Sequence, residues 1–181
     1  LGSAYQETLQ GDAGDNWIAG DRGVDTLYGN AGNDRLAAGS YSIFSYDDDD
    51  DILISVNDTN NNDNDVLYGG AGNDSLYGST GDNTLDGGTG TDTIWSGTGS
   101  DTIVIRSGDG STTLANADVL RDFSDGNDVI GIDGLNYGDL TIAQGTGDYA
   151  SHVIVKYGAE FLLIIRDVSV SNITSPDFTP L

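Results

Sequence analysis

Side chains that can offer a hard oxygen ligand recur every nine residues in two blocks of the sequence. Within each nine-residue unit, this side chain stands at the sixth position. The residues found there are Asn16, Asp25, Asp34, Asp74, Asn83, Asp92 and Asp101. Carboxylate and amide oxygens at regular spacing, with no histidine or cysteine among them, favour a hard cation such as calcium over zinc or copper. The spacing therefore predicts a row of calcium-binding turns.

Glycines at the first and fourth positions of the units explain how a turn could surround a cation. Glycine adopts positive φ readily, so these turns can point their backbone carbonyls toward one centre. We therefore add turn residues to the candidate ligand set, namely Gly20, Gly29, Asn33, Gly69, Ala71, Asn73, Gly87 and Thr89.

An aliphatic residue follows each sixth-position residue by two, which predicts a short strand with one core side chain. These residues are Ile18, Leu27, Leu36, Leu76, Leu85, Ile94 and Ile103. A turn plus a short strand, repeated, winds a right-handed coil with two repeats per turn and two parallel sheets. Turns two repeats apart then stack, which is expected to place Asp74 over Asp92, Asn83 over Asp101 and Asn16 over Asp34.

The units resemble the glycine-rich nonapeptides of the RTX (repeats-in-toxin) family, whose pattern is Gly-Gly-x-Gly-x-Asp-x-aliphatic-x. Residues 69–77 match this pattern fully. The resemblance implies an all-β fold, a right-handed parallel β-roll (β-solenoid), that binds several Ca²⁺ ions. Asn16 and Asn83 depart from the sixth-position aspartate, and weaker binding is expected in their turns. The second glycine is also replaced in some units, by Asp12, Asp21, Asn30 or Ser79.

Residues 37–64 separate the two blocks and admit two interpretations. A degenerate frame in units 37–45, 46–54 and 60–68 favours one uninterrupted roll with a bulging loop over two rolls joined by a linker. This frame adds Asp51 and Asp65 to the candidate metal ligands. The acidic run at residues 47–51 is interpreted first as a solvated charge run, with an extra ion as the alternative.

The nine-residue period stops after residue 105, so the sequence predicts a roll over residues 1–105 and a capping region over 106–181. Residues 117–130 resemble the segment that closes RTX rolls in serralysin-type proteases, which implies a terminal ion near Asp118, Asp125 or Asp128. Apolar stretches at residues 139–143, 152–157 and 161–168 predict an antiparallel cap that covers the open end of the roll. Residues 175–181 resemble the tails of type I secretion substrates.

Charge and composition exclude several classes of partner. Six Lys and Arg against thirty Asp and Glu give a net charge of −24, which argues against binding to nucleic acid or to an anionic membrane. No apolar stretch suggests membrane insertion. Cysteine is absent, so no disulfide or thiolate site is expected.

Catalytic residues are not apparent in this sequence. His152 is the sole histidine and alternates with Val153 in a strand-like segment, so the sequence indicates no histidine pair, Ser-His-Asp triad or His-Glu-x-x-His zinc motif. A structural role is expected for it. The aspartates of the repeats are assigned to calcium. We therefore predict no intrinsic enzyme activity, and any catalytic domain is expected upstream of Leu1.

The leading functional hypothesis is a secreted module that folds on binding calcium outside the cell. The alternative is a structural or adhesive component of a surface layer, sheath or filament, in which exposed Tyr28, Tyr68 and Tyr77 contact neighbours. Self-assembly and a cell-surface polysaccharide are its expected partners. A minor alternative is ice or polysaccharide binding through Thr80, Thr89 and Thr98, of which only Thr80 and Thr98 would share a side.

Overall fold

The computed structural model describes residues 2, 4–39, 41–46, 52–56 and 63–181, and for 41–46 and 52–56 it describes the backbone alone. The strands are β1 Thr8–Gln10, β2 Trp17–Ala19, β3 Thr26–Ala31, β4 Arg35–Ala37, β5 Tyr41–Tyr46, β6 Ile52–Val56, β7 Val66–Ala71, β8 Ser75–Tyr77, β9 Thr84–Thr89, β10 Thr93–Trp95, β11 Thr102–Arg106, β12 Asp118–Leu120, β13 Val129–Asp133, β14 Leu140–Gln144, β15 Val153–Tyr157, β16 Glu160–Ile165 and β17 Phe178–Pro180. Short 3₁₀ helices span Leu114–Asn116, Tyr137–Asp139, Gly147–Tyr149, Val170–Asn172 and Ser175–Asp177. Over these described ranges, no helix is long and apolar enough to cross a membrane.

Consecutive repeats alternate between two parallel sheets, which confirms the predicted parallel β-roll. One sheet has the order β1-β3-β7-β9-β11-β13-β17. The other begins β2-β4-β8-β10-β12 and continues into β16, β15 and β14. The period sets the register, so that Leu67 pairs with Leu27 on one side and Leu85 on the other.

The core is a double row of eighth-position side chains between the sheets. Each projects inward because it lies at the middle of a three-residue strand segment, where alternate side chains face opposite sides. The predicted aliphatic residues are all buried, with Ile18 the most exposed at 8%. The rows also contain Leu67, the eighth residue of the predicted unit 60–68, and they extend beyond the predicted units to Leu120 and Ile130.

The segment between the two blocks contributes a separate antiparallel hairpin of β5 and β6. Strand β3 pairs directly with β7, and β4 pairs directly with β8, so the two blocks of repeats share both sheets. The predicted degenerate units at 37–45 and 46–54 therefore do not add turns to the roll. Their first and fourth positions are Ala, Ser, Tyr and Asp rather than glycine, which removes the residues that favour the turn. The unit at 60–68 does join the roll through β7.

The C-terminal flank extends both sheets of the roll. Strands β14, β15 and β16 are antiparallel, as predicted. Strand β16 also pairs in parallel with β12, and β17 pairs in parallel with β13. The tail that resembles a secretion signal thus contains a docked strand with a buried Phe178. Both sheets contain strands from before and after residue 105. The division of the chain into two units at that residue stays a prediction.

Tyrosines of the repeats stack along the outer faces of the sheets. The Tyr28 and Tyr68 rings lie 5.0 Å apart between centroids, and the Tyr77 and Trp95 rings lie 4.5 Å apart. Tyr77 is only 8% exposed, so its predicted exposure is wrong. The reason is that Trp95, in the same column of the next turn, covers its ring. Thr80 and Thr98 form a parallel bridge, which confirms that they share a side.

A single arginine pairs with three aspartates beside the first sheet. The Arg106 guanidinium donates to both oxygens of Asp86, at 3.0 and 2.6 Å, and to Asp109 at 2.9 Å. Its Nε donates to Asp133 at 3.2 Å. The Asp86 side chain is 8% exposed and the Asp133 side chain 51%. The pair with Asp86 is therefore expected to contribute most of the stabilisation that this cluster gives to the fold.

We expect Arg106→Met to lower the free energy of unfolding by about 1–3 kcal/mol, because it leaves the buried Asp86 carboxylate without its donors. Asp133→Asn removes an exposed pair and should cost about 0–1 kcal/mol. Urea denaturation in calcium-containing buffer measures both values. An equal decrease in the free energy of unfolding for the two variants would contradict the conclusion that Asp86 is the main partner of Arg106.

Candidate metal-binding turns

The turns between strands stack closely on one another. An added Cβ at Gly90, whose φ is +147°, would lie 1.6 Å from the carbonyl oxygen of Gly72 in the stacked turn. At three of the four replaced second positions, the left-handed conformation persists, with φ values of 74°, 78° and 73° at Asp21, Asn30 and Ser79, whereas Asp12 does not adopt it. Asp and Asn tolerate this region better than most residues. These three departures from glycine therefore preserve the shape of their turns.

Sixth-position side chains form two ladders, one along each side of the roll. In each ladder the Oδ1 atom of one residue accepts the backbone N–H of the sixth-position residue in the preceding turn, at 2.5 to 3.2 Å. The first ladder contains Asp25, Asp65, Asn83, Asp101 and Asp128, and its first bond comes from the N–H of Glu7. The second ladder contains Asp34, Asp74, Asp92 and Asp118, and its first bond comes from the N–H of Asn16. The three predicted stacked pairs are confirmed.

The second carboxylate oxygen of these aspartates is the unusual feature of the turns. It is buried and has no hydrogen-bond partner within the described part of the chain at Asp25, Asp34, Asp74, Asp92 and Asp101. A buried carboxylate oxygen without a partner costs free energy, and native proteins rarely leave one. Five such atoms in equivalent positions indicate a ligand that the protein atoms alone do not supply.

Backbone carbonyls approach the same point as these oxygens. An added Cβ at Gly69 would lie 2.6 Å from Oδ2 of Asp74 and 2.5 Å from the carbonyl oxygen of Gly87. At Gly20, the corresponding distances are 2.5 Å to Oδ2 of Asp25 and 2.6 Å to the carbonyl oxygen of Ala38. Carboxylate and carbonyl oxygens thus crowd together around these turns, and a cation or a hydrogen-bond donor is needed to relieve their mutual repulsion.

Burial makes the charged form of these carboxylates unfavourable. It raises the pKa of Asp25 and Asp74 to about 6, of Asp92 and Asp101 to about 7 and of Asp118 to about 8. Burial also raises the pKa of Asp34 and Asp128. Neighbouring carboxylates add to the effect, for example Asp92 on Asp118. Each ladder therefore needs either protons or cations to offset its charge.

The donor set fits calcium. Its members are carboxylate and carbonyl oxygens, the ligands that calcium prefers. Across the described residues, no three acidic, histidine or cysteine side chains converge as a metal cluster, so carbonyls would supply much of the coordination. Asp74 and Asp92 are the clearest candidate ligands, because each is buried, unpartnered at Oδ2 and close to a first-position glycine.

Other predicted ligands have different surroundings. The Asn33 and Asn73 side chains are exposed, and their Oδ1 atoms accept the N–H groups of Asn73 and Thr91. The Ala71 and Thr89 carbonyls accept the N–H groups of Gly32 and Gly72. These four residues therefore already use an oxygen to join neighbouring turns.

Two of the three predicted terminal residues lie in the ladders. Asp118 closes the second ladder and Asp128 closes the first. Asp125 lies exposed in the turn that precedes Asp128. Asp65 is buried in the first ladder, and Asp51 lies outside the described residues.

Three contributors to the turns were missed at the sequence level. Glu7 occupies the sixth position of a unit before the first block, and Leu9 at its eighth position could have revealed it. Fifth-position side chains form a second set of bonds between turns, as when Asp82 accepts the N–H of Ser100. The Asp122 carboxylate accepts the N–H groups of Ser96 and Gly97.

His152 has the structural surroundings expected of it. Its Nδ1 accepts the backbone N–H of Asp167 at 3.1 Å, which joins the start of β15 to the segment after β16. This bond assigns the histidine to the cap rather than to the turns.

Comparison with known proteins identifies the repeats. The model of the RTX calcium-binding nonapeptide repeat matches four segments, residues 1–36, 59–94, 68–103 and 77–113, of which the last three overlap. Together they span half of the chain. No curated protein matches the chain.

Two solved structures resemble the chain over 99% of its length. They are the extracellular lipase LipA from Serratia marcescens, with 16% identity and a TM-score of 0.45, and the AlgE6R3 subunit of the Azotobacter vinelandii mannuronan C5-epimerase, with 20% identity and a TM-score of 0.38. The chain covers 39% of the lipase chain and 80% of the epimerase subunit.

Proposed function

Because the chain belongs to the family of RTX calcium-binding nonapeptide repeats, we propose that it is a module of a secreted protein that folds when it binds several calcium ions outside the cell. The observation that carries the proposal is the set of five buried Oδ2 atoms without hydrogen-bond partners. A fold that confines such atoms is stable only when a positive group joins them.

Charge explains why folding would depend on the ion. The chain carries a net charge of −24, and winding it into the roll brings the aspartates of each ladder close together. Bound calcium supplies the positive charge that offsets this repulsion. Since the ladders do not exist in the unfolded chain, the free energy of binding becomes free energy of folding.

The dependence of folding on calcium also suits export of the chain from the cell. Extracellular calcium modules typically bind at about 0.1–1 mM, far above cytosolic calcium levels. The aspartates of the ladders would repel one another in the cytosol and keep the chain extended for secretion. Any catalytic activity of such a protein is assigned to other domains, because the ladder residues are committed to binding and His152 to the cap.

A calcium titration followed by far-UV circular dichroism tests this function. We expect a cooperative gain of β signal near about 0.1–1 mM calcium and reversal by excess chelator. Magnesium at equal concentration is the control and should fold the chain poorly, because its strict octahedral geometry suits carbonyl-rich turns badly. Cooperative folding in chelator at pH 8, where the buried carboxylates are largely ionised, would overturn the proposal.

Light scattering on the same samples addresses the structural alternative. A surface-layer or filament component should form particles that grow with calcium, whereas an export module should fold as a monomer. We expect the monomer, because Tyr77 is covered within the chain by Trp95 and is therefore not available to contact a neighbour. Particle growth that follows folding would favour the structural role instead.

A further inference from the structure

Asn83 occupies a ladder position but differs from its aspartate neighbours. Its side chain is 1% exposed. Oδ1 accepts the N–H of Asp65 at 2.9 Å, and the Asn83 N–H donates to Oδ1 of Asp101 at 2.8 Å. Asn83 therefore makes both ladder bonds that an aspartate would make. The bond from Asp65 also fixes which end of the amide is the oxygen, because only an acceptor fits there.

The amide nitrogen of Asn83 points into its own turn. Nδ2 donates to the carbonyl oxygens of Gly78 at 2.9 Å and Gly81 at 3.0 Å, and it lies 3.5 Å from that of Thr80. These residues stand at the first, fourth and third positions of the unit. An amide NH₂ has two protons, which match the two shorter bonds, so the carbonyls of this turn are satisfied by the protein itself.

Aspartate turns place an oxygen where Asn83 places this nitrogen. An added Cβ at first-position Gly78 would lie 3.3 Å from Nδ2 of Asn83. At the equivalent Gly69 and Gly87, it would lie 2.6 and 2.4 Å from the Oδ2 atoms of Asp74 and Asp92. Those Oδ2 atoms are unpartnered, whereas Nδ2 of Asn83 is bonded. A donor has thus replaced an acceptor at one turn, in a site otherwise made of acceptors.

We propose that Asn83 is a built-in substitute for a bound calcium ion, so that the turn at residues 78–83 closes without metal. This inference rests on the proposed function, because it assumes that the aspartate turns bind calcium. It replaces the expectation of a weak calcium site at Asn83. The first ladder then contains a metal-independent turn between Asp65 and Asp101, at which the chain can begin to wind before the ions bind.

The variant Asn83→Asp tests the substitution directly. The aspartate keeps the ladder acceptor, loses the two donors to Gly78 and Gly81 and supplies a second carboxylate oxygen. We expect it to bind at least one calcium ion more than the natural chain, as counted by equilibrium dialysis at saturating calcium. It should also need more calcium than the natural chain to reach half folding by circular dichroism.

Asn64→Asp is the matched control. It makes the same change of charge at an exposed position that is not a candidate ligand, and its Oδ1 can still accept the N–H of Asp82. The number of bound ions should equal that of the natural chain. An additional ion in both variants would mean that added charge alone recruits calcium and would overturn the inference.

The reverse change, Asp74→Asn, decides the question if Asn83→Asp does not fold. Here the new amide is expected to donate to the carbonyls of its own turn, so the chain should remain folded in calcium and bind at least one ion fewer. If the natural chain binds calcium but neither variant changes the count, the inference fails and the proposed function stands. If the natural chain binds no calcium, the proposed function itself fails.

Discussion

Asp92→Ala should raise the calcium concentration at half folding about tenfold or more, which corresponds to about 1.4 kcal/mol. Asp92 is completely buried in the middle of the second ladder. Its Oδ1 accepts the N–H of Asp74 at 2.8 Å, and its Oδ2 is one of the five unpartnered oxygens. Alanine removes the candidate calcium ligand and leaves the Asp74 N–H buried without an acceptor, which by itself costs about 1–3 kcal/mol. Calcium titration by circular dichroism measures the shift.

Asp82→Ala is the control for charge. It also removes one carboxylate and one acceptor between turns, the acceptor for the N–H of Ser100. Asp82 is exposed, however, so water replaces the lost bond, and we expect the midpoint to change less than about twofold. Similar shifts in the two variants would show that total charge, rather than the position of Asp92 in the ladder, sets the calcium dependence.

The nine-residue period carried most of the information about the fold. A single aliphatic position per unit placed Leu27 and Leu85 in the core and fixed the register of their strands, because each turn of the roll repeats the same geometry. The hairpin of β5 and β6 could not be placed in this way. Its sequence keeps apolar residues at some eighth positions while lacking the turn glycines, so a count of apolar positions alone suggested turns of the roll that do not form.

The strand pairings of the C-terminal flank could not be predicted from the sequence either. Strand β16 joins β12, and β17 joins β13, although no period relates these segments. Such pairings depend on which sheet edge is free once the roll has wound. The apolar pattern identified three strands and their antiparallel order, but it contained no signal for the edge on which they would dock.

The sequence predicts which residues of the candidate site stack on one another. It does not predict which atom of each side chain bonds the neighbouring turn and which is left for a cation. Spacing placed Asp74 over Asp92, and the structure confirms this stacking. Spacing does not reveal that Oδ1 bonds the neighbouring turn while Oδ2 is buried without a partner beside the first-position glycine of its own unit. For the same reason, Asn83 was interpreted as a weak ligand, since the direction of its amide depends on three backbone groups that only the folded turn brings together.

Acidification without calcium is expected to fold the chain. The folded pKa values of about 6 for Asp25 and Asp74, 7 for Asp92 and Asp101 and 8 for Asp118 lie above the ordinary value of 3.8. The metal-free roll therefore holds more protons than the unfolded chain between about pH 4 and pH 8, and its stability rises as the pH falls through this window and is lost as the pH rises through it. Circular dichroism in metal-free buffer from pH 8 to pH 5 measures the expected gain of β signal.

Calcium and protons should compete, because both would offset the charge of the same buried carboxylates. The calcium concentration at half binding is accordingly expected to rise as the pH falls from 8 to 6, opposite in sign to the effect of acid on the metal-free chain. Asp101→Asn provides the control. It removes one of the groups with a pKa of about 7 and should fold at higher pH without calcium, because the amide is neutral throughout. An unchanged circular dichroism signal between pH 8 and pH 5 would show that burial of these carboxylates does not oppose folding, and the physical reason given for calcium dependence would then be wrong.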